Sequence, residues 1–250
     1  MNNTKAIFIK QFTSMLKVPM LIGQGILFLI LAAAMMFLSP PETPECETHA
    51  CVPAYVCAAC QEIADARFQL PIPSGVGLFA VMFVGLALIG STSSLVNEDK
   101  TTTNLRFMAM ADVRPYQYLL GTLASMIIVV TVMLVFYALL GRYWGADMFW
   151  FMAIGVSGGL VSILLGVVTG LSKVPVLSLP LSLILGFGPT LSAQNETLAN
   201  LLRYTFMQQV NIAIAELDAD LTSNFLIIAA NGAAVLLLFA IMHRKNRFNV

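Results

Sequence analysis

The sequence predicts an all-α polytopic membrane protein with six transmembrane helices and both termini in the cytoplasm. Three observations carry that fold class. First, 58% of the 250 residues are hydrophobic and only 10% are charged, with a mean hydropathy of +0.85; soluble domains carry about 25% charged residues. Second, six stretches, at about 18–38, 74–96, 117–140, 147–171, 174–193 and 224–242, meet the ~20 mostly apolar residues a spanning helix requires. They contain no Lys, Arg, Glu or His, and their one acid, Asp147, sits at an extreme end. Third, the connecting segments sort by charge. Ten of the thirteen basic residues fall in 1–17, 97–116, the 172–173 turn and the tail, and ten of the thirteen acids fall in the alternate segments. The positive-inside rule makes the basic side cytoplasmic, and an even number of spans agrees. The balanced net charge and lack of any basic run exclude nucleic acid as a partner.

Taken in order, residues 4–17 place Phe8, Phe12, Met15 and Leu16 on one helical face with Lys10 and Lys17 elsewhere, as an amphipathic interfacial helix does. The apolar run that follows, about 21 residues, is longer than the 7–15 of a signal peptide, so it reads as the first span.

The outer loop, about 39–73, holds all four cysteines: Cys46, Cys51, Cys57 and Cys60. An extracellular position favours two disulfides, with three connectivities open. A zinc site using the Cys57-x2-Cys60 pair and His49 is the alternative, although the spacing fits no standard finger. If the disulfides form, the oxidised chain should resist alkylation at all four positions and weigh four hydrogens less than the reduced chain. Each bond closes a loop of at most about 15 residues, stabilising it by up to ~3 kcal/mol. Reduction should then speed proteolysis of residues 40–70 from outside; free alkylation of all four thiols without reductant would exclude the pairing.

Between the second and third spans, Thr101 or Thr102 can cap a short cytoplasmic helix whose Leu105, Met108 and Ala111 share one face, a docking ridge for a soluble partner. Before the sixth span, residues 194–223 read as broken or re-entrant helices at the outer face, following Gly186, Gly188 and Pro189. Irregular backbone at that depth survives only where protein or water satisfies it.

Catalytic motifs are sparse. The P-loop pattern G-x-x-x-x-G-K-[ST] is absent, so ATP hydrolysis by that route belongs to another chain. Gly155-Val156-Ser157-Gly158 matches the G-x-S-G of rhomboid proteases, but the chain's two histidines, His49 and His243, fall in the outer loop and at the cytoplasmic end of the last span. Small residues at 155, 158, 159, 166 and 170 read more simply as helix-packing positions. Proton- or sodium-coupled carriers usually carry ionisable groups within their spans. Here the deep polar groups are Gln24 and Asn231, with Ser and Thr, and these two mark the expected substrate pathway.

Taken together, these features resemble the permease subunits of type-2 ABC transporters, the exporter class with six spans per subunit. The likeness covers the interfacial helix, then Glu98-Asp99-Lys100 through Arg114-Pro115, then Tyr118-Leu119-Leu120-Gly121 opening the third span, the broken outer segment and the basic tail. Where the family has Gly-Thr this chain has Thr102-Thr103, and where it often has a basic residue after the opening glycine this chain has Thr122. The resemblance implies a multi-pass subunit of the plasma membrane that is not itself an enzyme and carries no cofactor. ATP and Mg would be held by a separate ABC-type ATPase, docked on Glu98, Asp99, Lys100, Leu105, Met108 and Arg114. A second permease copy, identical or related, would complete the transporter within the membrane lipid. The implied activity is export of an amphipathic or lipophilic substrate such as a peptide, drug or lipid-like molecule. A stand-alone channel or secondary carrier is the alternative, and an intramembrane serine protease a more distant one.

Overall fold

A computed structural model describes residues 3–17, 20–38, 72–102, 115–172, 174, 177–192, 196–217 and 221–246. The four cysteines and His49 lie outside the described residues, as do Leu105, Met108 and Arg114. Among the described residues the chain is helical throughout, with no strand.

The helices follow the hydropathy closely. They are α1 (Asn3–Lys17), α2 (Met20–Leu38), α3 (Ile72–Met82), α4 (Leu88–Thr101), α5 (Pro115–Leu140), α6 (Ala146–Leu171), α7 (Ser178–Ser192), α8 (Glu196–Leu202), α9 (Phe206–Ala215) and α10 (Thr222–Asn246). A π-turn at Phe83–Ala87 joins α3 to α4 in one continuous rod. Such turns widen the backbone by one residue and recur at functional sites.

Four of these helices are long and apolar enough to cross a membrane: Gly75–Thr101, Tyr116–Leu140, Ala146–Leu171 and Thr222–Met242. Leu21–Met35 within α2, and Ser178–Ser192, are apolar but shorter. Pro189 does not interrupt α7, which runs on to Ser192. The interruption expected within 194–223 is present between α8 and α9, at 203–205.

The core lies around α6, which packs against α4, α5, α9 and α10. Its glycines permit backbone-to-backbone approach: a Cβ on Gly166 would stand 2.9 Å from the Ile89 carbonyl oxygen, and one on Gly170 2.8 Å from that of Ser93. The predicted small-residue face is thus a packing face, since lipid-embedded helices gain contact chiefly by close approach. Ser157, the serine of the protease-like motif, donates to its own helix at the Ile154 carbonyl, 2.7 Å away. Deeper in, the fully buried Tyr137 of α5 donates to the Gly25 carbonyl of α2 at 3.3 Å and lies 5.9 Å, ring to ring, from Phe83 in the π-turn. At the edge, α10 buries only 11% of its spanning window and presents Leu226, Leu237 and Ile241 outward. Apolar side chains so placed suit hydrocarbon rather than water.

Candidate functional site

The carboxyl end of α4 is a junction of four helices. Asp99 is 5% exposed. A buried carboxylate is costly unless donors surround it, and three converge here. From α1, Lys10 Nζ lies 2.6 Å from Oδ1 and Gln11 Nε2 donates to Oδ2 at 2.6 Å; from α5, the Tyr118 hydroxyl donates to Oδ2 at 3.1 Å. Gln11 itself is fully buried. Among the described side chains of α1, Ile7 and Gln11, one turn apart, point inward, whereas Phe8 and Phe12 are half-buried and stack on each other at 5.9 Å. Ile7 packs against Gly121, where a Cβ would come within 2.7 Å of its side chain.

The next residue turns the other way. Lys100 Nζ donates to the Ser172 carbonyl at 2.8 Å, just past the end of α6, where a cation meets the negative end of the helix dipole. Thr101 and Thr102 donate their hydroxyls to the Glu98 carbonyl at 3.1 and 2.7 Å and so close α4. Glu98 is exposed. Of the predicted coupling residues, the fold brings Asp99 and Lys100 into a clamp joining α1, α4, α5 and α6.

Beside this corner, α2, the α3–α4 rod and α7 enclose a cleft of about 360 Å³. Gln24 reaches it from α2; Gly90, Ser93, Ser94 and Asn97 form one stripe along α4; Ser178 and Ser182, one turn apart, face it from α7. Leu86, Leu179 and Leu183 supply the apolar lining. Ser91 Oγ donates to Gln24 Oε1 across a long 3.5 Å, and Ser182 donates to the Leu179 carbonyl at 2.9 Å. Sequence reasoning found Gln24 and named serines without their positions, but missed Asn97. Their signal was legible: positions 90, 93, 94 and 97 keep the i, i+3, i+4, i+7 spacing of one helical face.

Asn231, the other expected pathway residue, lies apart from this cleft. Its amide donates to the Tyr204 carbonyl at 3.0 Å and to the Ile227 carbonyl at 2.9 Å. It belongs to a set that satisfies the broken segment between α8 and α9. Gln209 donates to the Arg203 carbonyl, Thr205 caps α9 by accepting from the Gln208 amide at 3.4 Å, and Ser192 donates to the Gln208 side chain at 3.0 Å. These side chains do for the interrupted backbone what a continuous helix would do for itself.

At the same end, Trp144, Phe149 and Trp150 are exposed around the turn between α5 and α6, an arrangement typical of a membrane–water interface. Tyr143 in that turn stacks on Phe151 at 4.7 Å. Its hydroxyl pKa is pushed up to about 12 by burial and, secondarily, by the Asp147 carboxylate. It stays a neutral donor at physiological pH.

Among the described residues no three His, Cys, Asp or Glu side chains gather as a metal site. No family model, curated protein or solved structure matches the chain.

Proposed function

We propose that this chain is the membrane-spanning subunit of an ATP-driven exporter, with six spans, both termini cytoplasmic, and a place in the plasma membrane. The observation that carries this reading is the Asp99–Lys100 clamp. Residues 103–114 are tethered between α4 and α5, and the clamp ties the adjoining helix ends to α1 and α6. A soluble partner that pushes on that segment therefore pushes on four helices together, which is what an external motor requires. The chain lacks a P-loop, so the motor is a separate ATPase holding ATP and Mg, docked through Leu105, Met108 and the flanking Glu98 and Arg114. A second permease copy, identical or related, faces this one. The four long helices with the two shorter apolar ones supply the six spans, and the segregation of basic residues supports the orientation. The cleft beside the clamp, with Gln24 among its lining, is the substrate's place in this scheme.

The test is co-purification with the ATPase encoded in the adjacent reading frame, followed by ATP hydrolysis in reconstituted vesicles. Leu105→Asp or Met108→Asp should leave membrane insertion intact while weakening ATPase capture and abolishing transport. The cause is a charge desolvated against the partner, a cost of several kcal/mol. Normal ATPase capture by both variants would remove this segment from the mechanism.

A further inference from the structure

We infer that the cleft between α2, α4 and α7 binds an uncharged amphiphile. Its hydroxyl- or amide-bearing head lies on the Ser93–Ser94–Asn97 face, and its hydrocarbon tail leaves past Leu179 and Leu183 into the lipid. The inference deepens the exporter reading by naming the substrate class; it rests on that reading's membrane-spanning part and not on the ATPase.

The hydroxyl of Ser93 carries the first step. This residue is 2% exposed and lines the cleft. Ser94 and Asn97 line it on the same stripe. Ser93 is buried, Asn97 half-buried and Ser94 exposed; sharing one helical face, the three offer both donors and acceptors to a single guest, and the buried hydroxyl gains most from a partner. Gly90 sits one turn away, with no atom within 4 Å of the place its Cβ would take. The cleft floor is open there rather than merely loosely packed.

Charge sets the class. Among the described residues that line it, none is ionisable. The nearby Asp99 is occupied by Lys10, Gln11 and Tyr118, and Lys100 by the Ser172 carbonyl. A charged head group would lose its hydration and meet no counter-charge, which low-polarity surroundings penalise heavily. A neutral head loses less water and recovers hydrogen bonds. The mouth is apolar, with Leu179 65% and Leu183 42% exposed, so a hydrocarbon tail can remain in the bilayer while the head enters. The volume of about 360 Å³ lies within the ordinary range for small-molecule sites.

The test uses the full chain alone in phosphatidylcholine vesicles, with three photoreactive probes sharing one tail: a monoacylglycerol, a fatty acid and an alkyltrimethylammonium. Crosslinks are mapped by mass spectrometry. The monoacylglycerol should label peptides containing 86–97 and 178–183, several-fold more than either charged probe. Asn97→Leu should reduce that labelling about fivefold, the effect of a lost hydrogen bond. Gly90→Leu, which fills open space and leaves the packing intact, should abolish it without lowering the melting temperature. Equal labelling by all three probes, labelling outside these peptides, or insensitivity to Gly90→Leu overturns the inference. Failure to capture an ATPase counts against the exporter reading alone, because no ATPase enters this experiment.

Discussion

Replacing Asp99 by alanine should detach α1 from the bundle and leave the spans inserted but uncoupled. The carboxylate accepts from Gln11 and Tyr118, both buried, and faces Lys10 across 2.6 Å. Without it, two buried donors lose their acceptor, at about 1–3 kcal/mol each. Lys10 contributes less, because its side chain is 37% exposed and can return to water, which weakens the ion pair. A loss of about 3 kcal/mol is a large part of a typical folding stability of 5–15 kcal/mol. Asn in the same place keeps one acceptor oxygen and should cost roughly half as much. Trypsin cleavage after Lys10 and Lys17, with thermal unfolding in detergent, reads both effects. The variant should be cut faster within α1 while the remaining fragment stays intact. Unchanged protection of α1 would mean that apolar packing of Ile7 on Gly121 holds the helix without the polar clamp.

The second large effect is expected where α7 crosses the π-turn. A Cβ on Gly85 would stand 2.9 Å from Gly186 Cα and 2.9 Å from Met207 Cε; one on Gly186 would stand 2.8 Å from Leu86 Cβ and 3.2 Å from the Leu86 nitrogen. Met207 is flexible and can give way. The facing backbones cannot, so Gly85→Val or Gly186→Val must push α7 off the rod. Overpacking of this kind costs about 1–3 kcal/mol, and here it also removes one wall of the cleft. Both variants should express poorly and melt several degrees lower in detergent. Gly23→Ala is the control: nothing lies within 4 Å of its Cβ position, and alanine favours the helix by about 0.5–1 kcal/mol. Wild-type melting of Gly186→Val would show that the contact between α7 and the π-turn can take up the added side chain.

The positions of the helices were legible because the bilayer imposes a local rule. Twenty or so apolar residues bounded by polar ones are visible in any window of the chain, and the expected spans at 117–140 and 147–171 reappear as Pro115–Leu140 and Ala146–Leu171. The N-terminal helix was legible by the same kind of periodicity, but its inward face was not. Apolarity pointed to Phe8 and Phe12, whereas among the described side chains of α1 the buried ones are Ile7 and Gln11.

By itself, then, the sequence determined that the described residues are helical and membrane-compatible, where those helices run, and that the segment before α10 is interrupted. Hydropathy and periodicity are sums over neighbours, and those properties depend only on neighbours. The tertiary structure decided which polar groups meet. Asp99 finds Gln11 across 88 positions and Tyr118 across 19. Gln24 joins a serine-lined cleft with residues from α4 and α7, while Asn231 spends its amide on a distant carbonyl. A hydrogen bond requires atoms within about 3 Å of each other, and only the crossing of helices, permitted at contacts such as Gly85–Gly186, brings residues so far apart in the chain to that distance.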